Sequence, residues 1–378
     1  MLDSLFVKNF RIFEKLEIEK LGRINLIVGR NNTGKSCLLE ALHIYAQRAD
    51  LGLLASLNRI REEDWLFRFS PEESQGLFVE DHPFRFFFHG ADLTAPRNHI
   101  EIGEIKNHQA RLKLSIVDST RSGQGSLPLE SSDSIADRAK RKRSALMMKV
   151  DFGGITVYPF DLIQDFERRL LAERPANRFL FNRTHMSDVQ VSQLVFTGDL
   201  NVKTVQTWWD QVNLSPEHRE RVFEMLRLIE PDLREVVFVG HLRQPTAMAL
   251  LGKENRHLPL KSFGDGMNHL FHIALAMVNS RGGFLLIDEF ENGLHYAVQP
   301  EIWRAIFTFA EAFDVQVFAT THSMDCISAF RSASREREDA LLFHLGRSRK
   351  KSEKGRIVVA SYDHEELALT DLAEMEVR

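Results

Sequence analysis

Apolar residues arrive along this chain in two rhythms. Ile24-Asn25-Leu26-Ile27-Val28 is a compact, β-branched run of the kind a buried parallel strand requires, and Gly29 ends it. From Ser36 to Gln47 the period changes, and Leu38, Leu39, Leu42 and Ile44 fall along one side of a helix. The unit is strand, loop, helix. Ahead of it, Ser4–Phe6 and Arg11–Phe13 mix apolar and polar positions as short strands do. The alternation returns late in the chain. Gly266 to Met277 predicts a helix apolar all round and therefore buried, Phe284–Ile287 a buried strand, Pro300–Phe313 a helix and Val315–Thr320 another buried strand. Leu341–Leu345 and Ile357–Ala360 bracket the basic stretch Arg347 to Arg356 as a hairpin would.

The middle reads differently. Aromatics crowd Phe84 to Phe88, and Ile100-Glu101-Ile102 and Leu112 to Ile116 alternate, which predicts antiparallel strands, either a flanking sheet or an edge hairpin set. From Asp118 to Ser144 the chain turns Ser/Gly-rich and then basic (Arg138, Lys140, Arg141, Lys142, Arg143), a composition that cannot form a core. It reads as a flexible or helical insertion. Phe152–Phe160 and Asn177–Phe181 look like strands, Val202–Val212 and Pro216–Ile229 like helices, the second with Ser215 as cap and Pro216 at its first position. Glu235 to Gly240 returns to strand. No internal repeat is present. The fold class expected is α/β, one core carrying an inserted arm. Its organisation is read as an N-terminal lobe over 1–118, a basic insertion over 119–149 and the remainder over 150–378.

Composition narrows the setting without naming a chemistry. The 378 residues are 43% hydrophobic and 27% charged, ordinary values for a globular protein with a sizeable core. A net charge of −4 gives no global pull toward DNA or an acidic membrane, so any nucleic-acid contact must be a local patch. Cys37 and Cys326, far apart and outside any Cys-x-x-Cys pair, suggest a reducing compartment. The acidic start Met-Leu-Asp-Ser-Leu-Phe is not that of a signal peptide, and no apolar run is long enough for a membrane helix. The expectation is a soluble, cytoplasmic protein with no membrane partner.

The chemistry begins at Gly29-Arg30-Asn31-Asn32-Thr33-Gly34-Lys35-Ser36, which fits G-x-x-x-x-G-K-[ST] in the strand–loop–helix context that gives the pattern meaning. There the backbone can wrap a pyrophosphate at a helix N-terminus. Lys35 would reach the β- and γ-phosphates, and the Ser36 hydroxyl would coordinate Mg²⁺. The partner motif is Phe284 to Glu289, four apolar residues whose strand delivers two carboxylates. Asp288 would hold Mg²⁺ and Glu289 would accept a proton from the attacking water. A strand ending in Asp-Glu is common alone; its pairing with the upstream loop gives it weight.

With these motifs in place the chain resembles the ABC-type ATPases, in the branch that holds the SMC, RecF and OLD-like proteins. Lys8-Asn9-Phe10-Arg11 is similar to the N-terminal element of that branch, which would put Arg11 near the nucleotide with Gly29, Asn31, Asn32, Thr33, Gly34 and Cys37. Asn32 stands where the branch usually has Gly. Ser262-Phe263-Gly264-Asp265-Gly266 resembles a degenerate signature loop, with Phe263 and Asp265 departing from it. The resemblance implies that Ser262, Gly264 and Gly266 cap the γ-phosphate of an ATP held by a second subunit. Glu291 to His295 matches the D-loop position, and Thr320-Thr321-His322-Ser323 places His322 as the switch histidine. Gln190 and Gln193 are candidates for the Q-loop glutamine, neither with a signature of its own.

Ile-Asp-Glu-x-Glu-Asn-Gly-Leu-His followed by Thr-Thr-His-Ser resembles the bacterial OLD-like ATPases, including ATPase subunits of some anti-phage systems such as Septu. The fold this implies is an ATPase head with a parallel core sheet, an antiparallel β subdomain and an inserted helical arm. The function it implies is an ATP-sandwich dimer that controls a separate effector, a nuclease, in antiviral defence. No Asp-x-Asp pair is present for a built-in Toprim nuclease. The alternative is a RecF-like, ATP-gated DNA-binding protein of repair, touching DNA through Arg138–Arg143 or the stretch from Arg347. A transporter's nucleotide-binding subunit and an ATP clamp with little turnover complete the set.

Overall fold

The computed structural model describes residues 1–63, 82–93, 98–118, 146–161, 189–196, 200, 202–240, 246–252, 256–348, 350 and 355–370. The chain forms two compact units, one from Met1–Asp3, Ile18–Leu39 and Gln190–Arg378, the other from Ser4–Glu17 and Glu40–Val189.

In chain order the strands are β1 (Leu5–Phe10), β2 (Phe13–Ile18), β3 (Ile24–Val28), β4 (His99–Gly103), β5 (Leu112–Asp118), β6 (Leu146–Phe152), β7 (Ile155–Asp161), β8 (Ser192–Val195), β9 (Leu233–Val239), β10 (Thr246–Leu251), β11 (His257–Pro259), β12 (Phe284–Ile287), β13 (Gln316–Thr321), β14 (Ala340–Arg347) and β15 (Ile357–Tyr362). The described helices are α1 (Lys35–Ala46), α2 (Leu51–Ile60), α3 (Val202–Asn213), α4 (Pro216–Leu226), α5 (Asp265–Asn279), α6 (Gln299–Ala312), α7 (Met324–Ala333) and α8 (His364–Leu369).

The first unit is built on a sheet of order β15-β14-β3-β13-β12-β8. Every pairing in it is parallel except β14 with β15. Parallel neighbours need long crossovers, and α6 and α7 supply two of them between β12, β13 and β14. β3, β12 and β13 are buried at every position, as strands covered on both faces must be. Their register brings Val28 opposite both Thr321 and His344, and Ile287 opposite Ala319. The residues after β3, β12 and β13 therefore emerge at one carboxyl edge, where ligands of open α/β sheets bind.

Helix α5 is buried on nearly every side, as its all-round apolarity predicts, and it packs against α3, α4 and β8. Ser215 caps α4 by accepting the His218 N–H. The three-stranded antiparallel sheet β11-β10-β9 completes this unit.

The second unit holds the sheet β2-β1-β4-β5-β6-β7, whose pairings from β1 to β7 are antiparallel. The antiparallel subdomain is thus present, with several corrections of detail. Arg11 lies in the turn between β1 and β2 rather than opening a strand, because Asn9 and Arg11 sit at φ 56° and 49°. The aromatic stretch Phe84–Phe88 is not a strand. Pro83 starts a 3₁₀ turn over Pro83–Phe87, capped by the His82 ring, and Phe84, Phe87 and Phe88 still bury their rings. Strand β6 begins at Leu146, inside the stretch read as an insertion. The predicted strand Asn177–Phe181, the basic run Arg138–Arg143 and the helical arm fall outside the described residues.

Candidate active site

The loop after β3 is shaped by what surrounds it. Gly29 sits at φ 148°, and a Cβ there would lie 2.3 Å from the Leu345 carbonyl oxygen, so β14 leaves room only for glycine. Asn32 adopts φ 62°, the left-handed region that Asn tolerates best after Gly. That is the physical reason an asparagine can replace the usual glycine there. Thr33 is buried and its hydroxyl donates to the Arg30 carbonyl at 2.8 Å. Helix α1 starts at Lys35, one residue after Gly34, and Cys37 is half-buried in its first turn.

Lys35 is folded back into its own loop, with Nζ donating to the carbonyl oxygens of Gly29 at 2.6 Å and Arg30 at 3.1 Å. Burial pushes its pKa down, while Asp288, Glu289 and Glu291 pull it up. An ammonium satisfied only by main-chain carbonyls can exchange them for phosphate oxygens.

Four groups are chained by hydrogen bonds beside it. The Ser36 hydroxyl donates to Asp288 Oδ1 at 3.1 Å, and the Thr320 hydroxyl donates to the same oxygen at 2.6 Å. Thr320 Oγ1 accepts the Glu289 N–H at 2.8 Å, and its carbonyl accepts the Phe290 N–H at 2.9 Å. Glu289 is held at φ 51°, a conformation that costs a non-glycine residue roughly 1–3 kcal/mol and that clusters at functional sites. The next residue anchors the turn: Phe290 is fully buried and stacks on Trp303 with ring centroids 4.1 Å apart. Burial first, and then the Asp288 carboxylate, push the Glu289 pKa up, the direction a general base needs. The His322 Nδ1 lies 3.8 Å from Glu289 Oε1 and 3.2 Å from Glu291 Oε1.

Lys35, Ser36, Asp288, Glu289 and His322 thus lie within one unit at the carboxyl edge of its sheet. Ser262 and Gly264 are exposed at the start of α5, whose N-terminus has no side-chain cap, and Gly266 is buried against Gly293. Arg11 belongs to the second unit, where Nε lies 2.5 Å from Glu40 Oε2 and Nη1 2.6 Å from Glu63 Oε1. Gln193 is in the middle of the edge strand β8, paired with Leu285, and Gln190 precedes that strand. Three participants were not foreseen in their roles: Thr320, Glu291 and Arg347. The last ends β14 and donates from Nη2 to the Asn32 carbonyl at 3.1 Å. Thr320 and Glu291 stand inside recognised motifs, which was their only sequence signal.

The donor set fits a magnesium nucleotide. No cluster of three or more His, Cys, Asp or Glu side chains able to hold a metal occurs among the described residues. A cation here would therefore draw on one hydroxyl, one carboxylate and phosphate oxygens, the set Mg²⁺ prefers.

A phosphate-cradling loop facing an acidic strand end across a parallel sheet defines the class of P-loop ATPases. Residues 135–327, just over half the chain, match the family described as "AAA domain, putative AbiEii toxin, Type IV TA system", and the chain belongs to that family. Residues 1–94 match a second description, "AAA ATPase domain". An "ATP/GTP phosphatase" of Helicobacter pylori is 23% identical over 360 residues, 90% of each chain. The DNA replication and repair protein RecF of Lactococcus lactis is 27% identical over 118 residues, 30% of this chain and 31% of that one. Among solved structures, an SMC head bound to the C-winged helix domain of ScpA covers 96% of this chain and 98% of its own at 12% identity and a TM-score of 0.46. The SMC head domain of Thermotoga maritima gives 15% identity and a TM-score of 0.43, covering 96% and 99%. No helix among the described residues is long and apolar enough to cross a membrane.

Proposed function

We propose that this chain is a magnesium-dependent ATPase whose two copies close around ATP, and that this cycle controls a partner effector, a nuclease, in anti-phage defence. The observation that carries the hydrolytic part is the hydrogen-bonded chain Ser36–Asp288–Thr320–Glu289 beside Lys35. Lys35 leaves its two carbonyls for the β- and γ-phosphates. Ser36 and Asp288 would hold the cation, which would neutralise charge on the phosphate oxygens. Glu289 takes a proton from the attacking water as the bond from the γ-phosphorus to its bridging oxygen breaks. His322, whose Nδ1 lies 3.8 Å from Glu289 Oε1, would face the γ-phosphate.

The dimer rests on the N-terminus of α5, which has no side-chain cap and follows the exposed Ser262 and Gly264. Its uncapped N–H groups suit an anion, and the resemblance gives the Ser262–Gly266 loop a nucleotide held by another subunit. ATP would then favour the dimer because it contacts both copies, and hydrolysis would release it. The effector and the defence role are supported by the OLD-like motif series from Asp288 to Ser323.

Glu289→Gln tests the reading directly. Incubated with ATP and Mg²⁺, the variant is expected to lose phosphate release and to double its mass in light scattering behind size exclusion, while Lys35→Ala stays monomeric. A Glu289→Gln protein that remains monomeric at saturating ATP overturns the switch. A second reading, ATP-gated DNA binding, is favoured by the partial likeness to RecF. A salt-dependent gel shift that requires ATP would select it.

A further inference from the structure

Two acidic side chains face His322, and they are placed very differently. Glu289, the general base, is 42% exposed and His322 is 45% exposed, whereas the Glu291 side chain is only 11% exposed. Glu291 opens the turn after Phe290, and its own carbonyl accepts the Leu294 N–H at 2.9 Å, so its main chain is fixed. Its Oε1 accepts the His322 main-chain N–H at 2.9 Å and lies 3.2 Å from the ring Nδ1. The ring approach is at ion-pair distance without the alignment of a hydrogen bond. Its Oε2 is buried and has no hydrogen-bond partner among the described residues. A half-satisfied buried carboxylate costs stability. Its presence is explained if the site needs it there.

We propose that Glu291 is a positioning residue that holds His322 by its main-chain N–H and, through the carboxylate facing Nδ1, keeps the ring's proton on that nitrogen. With Nδ1 facing Glu291 and Glu289, the ring's other nitrogen, Nε2, is left for the reacting group: as an acceptor for the attacking water when the ring is neutral, and as a donor to the γ-phosphate when both nitrogens carry protons. A buried carboxylate orienting an imidazole is the logic by which an outer residue sets the tautomer and angle of an inner one. Glu291 acts through His322, which its Oε1 meets at both the main-chain N–H and the ring. The inference rests on the hydrolytic reading above.

The test uses the full chain with ATP and Mg²⁺. Glu291→Gln keeps an oxygen for the His322 N–H but removes the negative charge that faces Nδ1, so it should melt with the wild type and keep its KM for ATP within about twofold. Its kcat should fall roughly 10–100-fold, the loss typical of removing such an orienting partner. On a His322→Ala background the same change should cost nothing further, because the two act as a unit. An unchanged kcat, or equal losses in both backgrounds, overturns the proposal. Ring ¹⁵N chemical shifts of His322 in the unmodified protein give a second readout, independent of turnover and of whether any variant folds. A proton on Nδ1 supports the proposal and one on Nε2 alone overturns it. Wild-type protein that releases no phosphate would sink the hydrolytic reading, and the position of that proton would still decide this one.

Discussion

The Thr320 hydroxyl donates to Asp288 Oδ1 at 2.6 Å from a position with no solvent exposure. Its oxygen also accepts the Glu289 N–H, so one side chain on β13 fixes both the Asp288 carboxylate and the turn that carries Glu289. Thr320→Val has nearly the same shape and loses both bonds. The expected stability loss is about 1–3 kcal/mol, because a buried N–H is left unsatisfied. It would be read as a lower urea midpoint at unchanged slope. Turnover should fall at least about tenfold through misplacement of Glu289, and Thr320→Ser should restore most of it.

Arg347 clamps the crown of the phosphate loop by donating to the Asn32 carbonyl. Asn32 is in the left-handed region, so this bond helps hold a conformation that is otherwise easily lost. Arg347 is exposed, which keeps the bond modest, about 0.5–1.5 kcal/mol. Arg347→Ala is therefore expected to weaken nucleotide binding by about 2–10-fold in calorimetric titration, with kcat unchanged once ATP saturates. A kcat that falls while affinity holds would show the residue acting on chemistry instead.

What the sequence made legible follows from where each signal resides. The buried runs of β3, β12 and β13, the all-round apolarity of α5 and the Asp288–Glu289 pair are local patterns, and each appears where its pattern puts it. Strand β8 was missed because Ser192-Gln193-Leu194-Val195 is too short and polar to signal strand; its pairing with β12 is a tertiary fact. The alternating aromatics around Phe86 imitate a strand, but Pro83 and the His82 cap decide for a 3₁₀ turn. Helix α7 is capped by Ser323, which accepts the Cys326 N–H, a cap hidden by reading Ser323 only as part of the histidine motif. The partner of a hydroxyl or guanidinium is not written locally. Hence the local pattern shows Thr320 as a strand end and Arg347 as the start of a basic hairpin loop.

Gly266 faces Gly293 at a distance that excludes any side chain: a Cβ on Gly266 would lie 2.1 Å from the Gly293 carbonyl oxygen. The obstacle is backbone, so no rotamer can relieve it. Gly266→Ala must separate the start of α5 from the turn that follows Glu289. The expected cost is about 1–3 kcal/mol, with loss of phosphate release. Gly264→Ala provides the contrast, since a Cβ there meets nothing within 4 Å and is opposed only by φ 94°. It should melt above Gly266→Ala in a thermal scan. Equal melting temperatures would mean that the Gly266–Gly293 approach does not constrain the fold.

His269, on α5, couples this packing to pH. It is buried, hydrogen-bonded to the Phe290 main chain, and its Nε2 has no hydrogen-bond partner among the described residues. Burial lowers its pKa from 6.5 to about 4. Above pH 6.5 the ring is neutral in both folded and unfolded chains and imposes no penalty. As pH falls from 6.5 toward 4 the unfolded chain takes up a proton that the folded chain refuses, so stability drops through this window. A shift of this size is worth on the order of 2–3 kcal/mol at its lower end. In His269→Asn the amide nitrogen can replace the Nδ1 donor without titrating. Urea midpoints measured at pH 7 and pH 4.5 should fall further for the wild type than for the variant. Parallel falls in the two proteins would assign the acid sensitivity elsewhere in the chain.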